Sequence, residues 1–165
     1  MAAIWIPVVG FEGFYEVSNE GFVRSVRTGR VLSPGLHKQG YRLVTLCKSG
    51  TRSTKTVHRI VAIAFIPNPD RKPFVDHIYG VAAGDMVKNL RWATRTENCQ
   101  NAGIRSDNKT GHKGVTFNQR SQKYEARIKL NGKVKYLGSF ITAEEAYAAY
   151  CAAAQTNYGV FARLV

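Results

Sequence analysis

Between Trp5 and Thr56, apolar and polar residues alternate in short runs, the period of half-buried strands. Tyr15-Glu16-Val17 leads into the turn-forming Ser18-Asn19-Glu20-Gly21 and then Phe22-Val23-Arg24-Ser25-Val26, which predicts a hairpin. A further strand runs from Tyr41 to Leu46 and ends at Ser49-Gly50. The period then changes: Ile60, Val61, Ala64 and Phe65 share one helical face between Val57 and Phe65, and Pro67 and Pro69 stop the helix.

The middle of the chain reads strand, loop, strand, helix. Phe74-Val75-Asp76-His77-Ile78 is the first strand, residues 79–88 a loop with Gly80 and Gly84, and Asn89-Leu90-Arg91-Trp92-Ala93 the second strand. Thr94-Arg95-Thr96-Glu97 fits a capping box, so a helix is predicted from Arg95 to Ala102 with Asn98 in its first turn. Residues 103–113 are polar and turn-prone. Strands follow over Gly114–Asn118, Tyr124–Leu130 and Lys133–Phe140, the last two joined by Asn131-Gly132, a strong hairpin signal. A second capping box, Thr142-Ala143-Glu144-Glu145, opens an alanine-rich helix ending near Asn157-Tyr158-Gly159.

These elements predict an α+β chain. An N-terminal antiparallel β module occupies 1–56, the strand–loop–strand–helix segment 57–104, a linker 105–112, and a three-stranded sheet packed on one helix 113–165. Its 165 residues suffice for one ordinary domain or two to three very small ones.

Charge narrows the partners. Twenty-four Lys and Arg against eleven Asp and Glu leave a net +13, which favours nucleic acid or an anionic membrane. The longest apolar stretch, Ile60 to Ile66, is too short to span a bilayer, and the N-terminus does not read as a signal peptide. The ends carry the excess: about +5 over 1–56 and +6 over 105–165, against +2 between them. Cys47, Cys99 and Cys151 form no C-x-x-C pair, so they read as ordinary thiols of a reducing cytoplasm.

Asp76 and His77 are neighbours, Asn89 follows, and Asn98 comes nine residues after that. Taken alone, each also reads as an ordinary residue: opposite strand faces for Asp76 and His77, a turn for Asn89, an exposed helical position for Asn98. Together, Val75-Asp76-His77-Ile78, Asn89-Leu90-Arg91-Trp92-Ala93-Thr94 and Glu97-Asn98 resemble the ββα-metal site of bacteriophage HNH homing endonucleases, in the variant with Asn as third motif residue. The run Trp5, Val9-Gly10-Phe11-Glu12-Gly13, Tyr15-Glu16-Val17-Ser18-Asn19, Gly21 and Val23-Arg24-Ser25 resembles the module preceding that motif in the same enzymes. Val57-His58-Arg59-Ile60-Val61-Ala62 continues the match into the nuclease.

The resemblance implies a double-stranded DNA endonuclease with a divalent ion, Mg²⁺ foremost and Mn²⁺ as the alternative. Asp76 and Asn98 would be the metal ligands and His77 the general base. Asn89 would hold the His77 ring through its side-chain oxygen. The chemistry is coherent: a hard ion prefers oxygen ligands, and imidazole takes a proton near neutral pH. The family pattern has Asp or Asn where Tyr79 stands, and its acidic loop pair is here Asp85 alone. His58 reads as a structural or phosphate-contacting residue, and Arg91 either reaches a phosphate or covers Trp92.

The C-terminal unit resembles the Apetala2-type DNA-binding domain on Lys113-Gly114-Val115, Lys123-Tyr124-Glu125-Ala126-Arg127-Ile128, Tyr136-Leu137-Gly138-Ser139-Phe140, Thr142-Ala143-Glu144-Glu145-Ala146 and Ala149-Tyr150. The resemblance implies that the sheet enters the major groove. Strand alternation independently turns Tyr124, Ala126, Ile128, Leu130, Val115, Phe117 and Leu137 to the core. It leaves Thr116, Asn118, Glu125, Arg127, Lys129 and Tyr136 outward, with Arg127 and Lys129 the leading base or phosphate contacts. In the N-terminal module Arg24, Arg27, Arg30, Arg42, Arg52 and Lys55 lie on or beside strands as further phosphate contacts. One catalytic centre per chain favours a monomer that nicks one strand, a dimer being the route to cutting both. The rival reading is a DNA-binding regulator with a decayed centre; an RNA-binding protein fits the charge but not the metal constellation.

Overall fold

The computed structural model describes residues 3–164. The chain divides into two compact units between Asn98 and Cys99.

In the first unit, β1 (Trp5–Pro7), β2 (Tyr15–Ser18) and β3 (Val23–Ser25) form an antiparallel sheet in that order. The Ser18–Gly21 turn joins β2 to β3, as the sequence predicts. β4 (Gly35–Leu36), β5 (Arg42–Lys48) and β6 (Thr51–Thr56) form a second antiparallel sheet. β6 runs directly into α1 (Val57–Phe65), which ends at Ile66, before Pro67.

β7 (Phe74–His77) and β8 (Leu90–Ala93) pair antiparallel, with Asp76 opposite Arg91 and His77 opposite Leu90. α2 (Arg95–Gln100) follows at once. Its capping box is present: the Thr94 N–H donates to Glu97 Oε2 at 2.6 Å, and the Glu97 N–H to Thr94 Oγ1 at 3.2 Å. The helix stops at Gln100, short of the predicted Ala102, where the chain turns with Ala102 N–H on the Cys99 carbonyl.

One core unites the segments that the sequence assigns to separate modules. Val8, just after β1, Val17 of β2 and Val23 of β3 pack with Val44 and Leu46 of β5. The same cluster takes in Val57, Ile60, Val61 and Ala62 of α1, and Val75 and Leu90 of the β7–β8 hairpin. The boundary expected after residue 56 is therefore not a structural boundary. Short strands cannot bury their faces alone, and these share α1 as their common backing.

In the second unit, β9 (Val115–Asn118), β10 (Lys123–Leu130) and β11 (Lys133–Phe140) form an antiparallel sheet with β10 central. Asn131 and Gly132 both take positive φ, 48° and 80°, which is the backbone a two-residue turn of this type requires. α3 (Ala143–Tyr158) opens with the predicted capping box on Thr142 and Glu145. It packs Ala146, Tyr150 and Ala154 against Val115, Ala126 and Ile128. Small residues let the helix sit close to the sheet.

Segment 105–112, predicted as a linker, is a built loop in this unit. Asn108 Oδ1 accepts from the Thr110 and Gly111 N–H groups, and its Nδ2 donates to the His112 carbonyl. Phe117, expected in the core, is 43% exposed and packs on Tyr124 with the rings tilted at 56°.

Candidate active site

Asp76 and His77 end strand β7, and both are buried, at 4% and 5% exposure. Adjacent residues of a strand face opposite ways, so burial of both means that this hairpin is covered on each side. Val75 and His77 face α1; Asp76 faces the side shared with Arg91.

Asp76 Oδ2 receives Nε of Arg91 at 2.8 Å and lies 2.8 Å from its Nη2. Cross-strand register puts the Arg91 guanidinium against this carboxylate. The Trp92 indole N–H donates to the Ile66 carbonyl at 2.8 Å, tying β8 to the end of α1.

His77 Nε2 lies 2.8 Å from Asp85 Oδ1. Asp85 Oδ2 accepts from Arg42 Nε at 2.8 Å, and Arg42 Nη2 donates to the Gly21 carbonyl at 3.2 Å. Burial works to raise the Asp85 pKa, but hydrogen bonds from His77 and Arg42 outweigh it and hold the carboxyl below its usual range. An anionic Asp85 at Nε2 favours the tautomer with its proton there and the basic lone pair on Nδ1.

The expected bond from Asn89 to the His77 ring is not what Asn89 makes. Its Oδ1 accepts the Tyr79 N–H at 2.8 Å, and its Nδ2 donates to the Gly84 carbonyl at 2.7 Å and the Gly80 carbonyl at 3.2 Å. The Asn89 amide closes the 79–88 loop, and the imidazole takes the stronger, charged partner that this loop delivers, Asp85. Tyr79 joins this network only through its backbone. Its side chain is 70% exposed.

His58 of α1 lies against His77, ring centroids 5.0 Å apart, and Tyr41 completes a cluster of three rings at 5.0 Å from His58 and 5.9 Å from His77. Burial, then the neighbouring His77, lowers the His58 pKa from 6.5 to about 4. His58, His77 and Asp85 each offer a ligand atom within 4.8 Å of the others. Two imidazoles and a carboxylate suit a borderline ion such as zinc, but Arg42 already sits on that carboxylate and opposes a second cation.

Of the two residues expected to hold a hard ion, Asp76 is buried at the end of β7 and Asn98 is half-buried on α2. Asp76 remains a buried carboxylate aligned by Arg91.

Of the DNA-facing candidates, Thr116, Arg127, Lys129 and Tyr136 are exposed on the outer sheet face of the second unit, and Asn118 is half-buried beside them. Glu125, not among the candidates, organises them: it accepts from Asn118 Nδ2 at 2.7 Å and from Arg127 Nη2 at 2.7 Å. Arg24 in the first unit is engaged within the chain. It pairs with Glu16 at 2.7 Å and stacks 4.2 Å from the Trp5 ring centroid.

Comparison with known proteins follows the same lines. Residues 4–47 match the family model described as the NUMOD4 motif. The chain is 39% identical over 97 residues to DNA endonuclease I-HmuI of Bacillus phage SP01, a match covering 59% of this chain and 56% of that protein. It is 40% identical over 104 residues to an uncharacterized HNH endonuclease of Acanthamoeba polyphaga mimivirus, covering 60% of this chain and 26% of that one. The chain thus spans little more than half of the first relative and about a quarter of the second. A solved structure described as DNA binding and cleavage by the HNH homing endonuclease I-HmuI superposes with a TM-score of 0.57 and 31% identity. That superposition covers 87% of this chain and 80% of the other.

Proposed function

The chain belongs to the HNH homing endonucleases, and on that premise we propose that it hydrolyses phosphodiester bonds in DNA with a divalent ion at Asp76 and Asn98. The observation that carries the reading is the buried Asp76–His77 pair on β7, with the His77 imidazole fixed on Asp85 at 2.8 Å.

In this reading His77 is the general base. With its Nε2 proton directed at Asp85, Nδ1 takes the proton from the attacking water. Arg91 orients the Asp76 carboxylate, and Asn89 keeps the 79–88 loop closed so that Asp85 stays under the imidazole. The ion, when bound, neutralises charge on the scissile phosphate and the leaving oxygen. Magnesium suits the oxygen donors best, with manganese an alternative of similar preference.

The DNA grip assigned to the second unit is the outer sheet face with Thr116, Asn118, Arg127, Lys129 and Tyr136, in the manner of the Apetala2-type domain it resembles. Glu125 presets Asn118 and Arg127 for that contact. Supercoiled plasmid incubated with the protein and Mg²⁺ is expected to relax, and excess EDTA to prevent it. Retarded DNA that is never nicked in any divalent ion would overturn the reading.

A further inference from the structure

The N-terminal motif reaches into the nuclease centre at three points. The Gly21 carbonyl accepts from Arg42 Nη2, and Arg42 Nε donates to Asp85, whose other oxygen meets His77. The Asn19 carbonyl accepts the Val87 N–H at 2.9 Å, pinning the catalytic loop just beyond Asp85. Gly21 itself, at φ +83°, lies so close that a Cβ there would stand 2.8 Å from Arg42 Nη2 and 3.0 Å from the Asp85 carbonyl. Residues 19, 21 and 42 all fall within the matched N-terminal motif.

From this chain of contacts we propose that Asp85 and Arg42 are positioning residues for His77, and that the Asn19–Gly21 turn makes the N-terminal motif a structural part of the active centre. This rests on the reading of His77 as the general base. Asp85 is 2% exposed, and Arg42 fixes it from a strand forty-three residues away. A carboxylate alone can rotate; one gripped by a guanidinium that is itself anchored on a backbone carbonyl cannot. Asp85 therefore presents one orientation to Nε2, and the imidazole presents one nitrogen to the water.

The test uses the full chain with ¹⁵N-labelled histidine, the His77 signals being assigned by their loss in His77→Gln. In the native protein the ring should show one tautomer, protonated at Nε2. Asp85→Ala should convert it to a mixture of tautomers and lower kcat on DNA about 10- to 100-fold, with KM changed little. Arg42→Met should produce a smaller shift of the same kind, and Arg42→Lys should restore only part, since an ammonium cannot span Asp85 and the Gly21 carbonyl as a fork does. Gly21→Ala is open to misfolding, so Arg42→Met, checked by its melting curve, is the decisive variant for the N-terminal motif. An unchanged tautomer in folded Asp85→Ala and Arg42→Met protein overturns the proposal. Because the ring signals do not depend on cleavage, a native protein that fails to cut DNA defeats the nuclease reading and leaves this test standing.

Discussion

Arg91 lies opposite Asp76 across the β7–β8 hairpin and holds its Oδ2 through Nε and Nη2, each at 2.8 Å. The carboxylate that the proposed mechanism needs for metal is thus also a buried charge that the fold must satisfy. Stability and function meet in one side chain.

Arg91→Met leaves Asp76 buried without its guanidinium. The expected cost is about 3–5 kcal/mol, the usual penalty for removing one partner of a buried pair. Adding Asp76→Asn should recover much of it, because the unpaired charge then disappears. Denaturant melts of the two single variants and the double variant measure this directly. Additive losses in the double variant would argue against the pairing.

His58 sets an acid limit. Its folded pKa of about 4 lies below the ordinary 6.5, so between these values the unfolded chain binds a proton that the folded chain refuses. Above about pH 6.5 the residue is neutral in both states and contributes nothing. Stability then falls as pH drops from about 6.5 towards 4, by roughly 3 kcal/mol at full effect. Asp85, whose folded pKa is depressed, loses its contribution at still lower pH, below the carboxylate range. His58→Phe keeps a ring beside Tyr41 and His77 and should flatten the first slope. Melting curves across this range test it; parallel slopes for both proteins count against the assignment.

In the second unit, Gly114 packs under α3 at φ +75°, where a Cβ would stand 2.2 Å from the Tyr150 ring and 2.8 Å from the Arg127 carbonyl. Gly114→Ala should therefore destabilise this unit by about 2–4 kcal/mol, through strain and overpacking together. Hydrogen exchange in β9 and α3 should rise with it, while β7 and β8 are unaffected.

Contact of the outer sheet face with DNA predicts a salt signature. Removing a side chain that neutralises one DNA phosphate should reduce the slope of log affinity against log salt by about 0.9. Arg127→Ala with Lys129→Ala is expected to lower that slope by up to about 2 and weaken binding at low salt. Filter binding across a salt series measures it, and an unchanged slope removes this face from the DNA interface.

What the sequence disclosed was local. Both capping boxes, the Asn131-Gly132 turn and the strand–loop–strand–helix order are written in neighbouring residues, and the structure has each of them. The partner of His77 was not legible, because Asp85 lies eight residues on in an irregular loop and Arg42 forty-three before that. Resemblance supplied Asn89 as an identity but not its bonds, and the loop backbone claims its amide. The unity of the first unit was equally hidden. Alternating strands such as β2 and β3 look self-sufficient in sequence, yet Val17 and Val23 are buried only because α1 and the β7–β8 hairpin join the same core.

The role of His77 is tested most directly by a single-turnover comparison of native protein with His77→Ala on one DNA substrate in Mg²⁺. The expected result, in variant protein shown to be folded at the assay temperature, is matched DNA affinity with strand cleavage reduced at least about 100-fold, the usual scale for loss of a general base. Cleavage by His77→Ala at the native rate, with fold and binding intact, would contradict it.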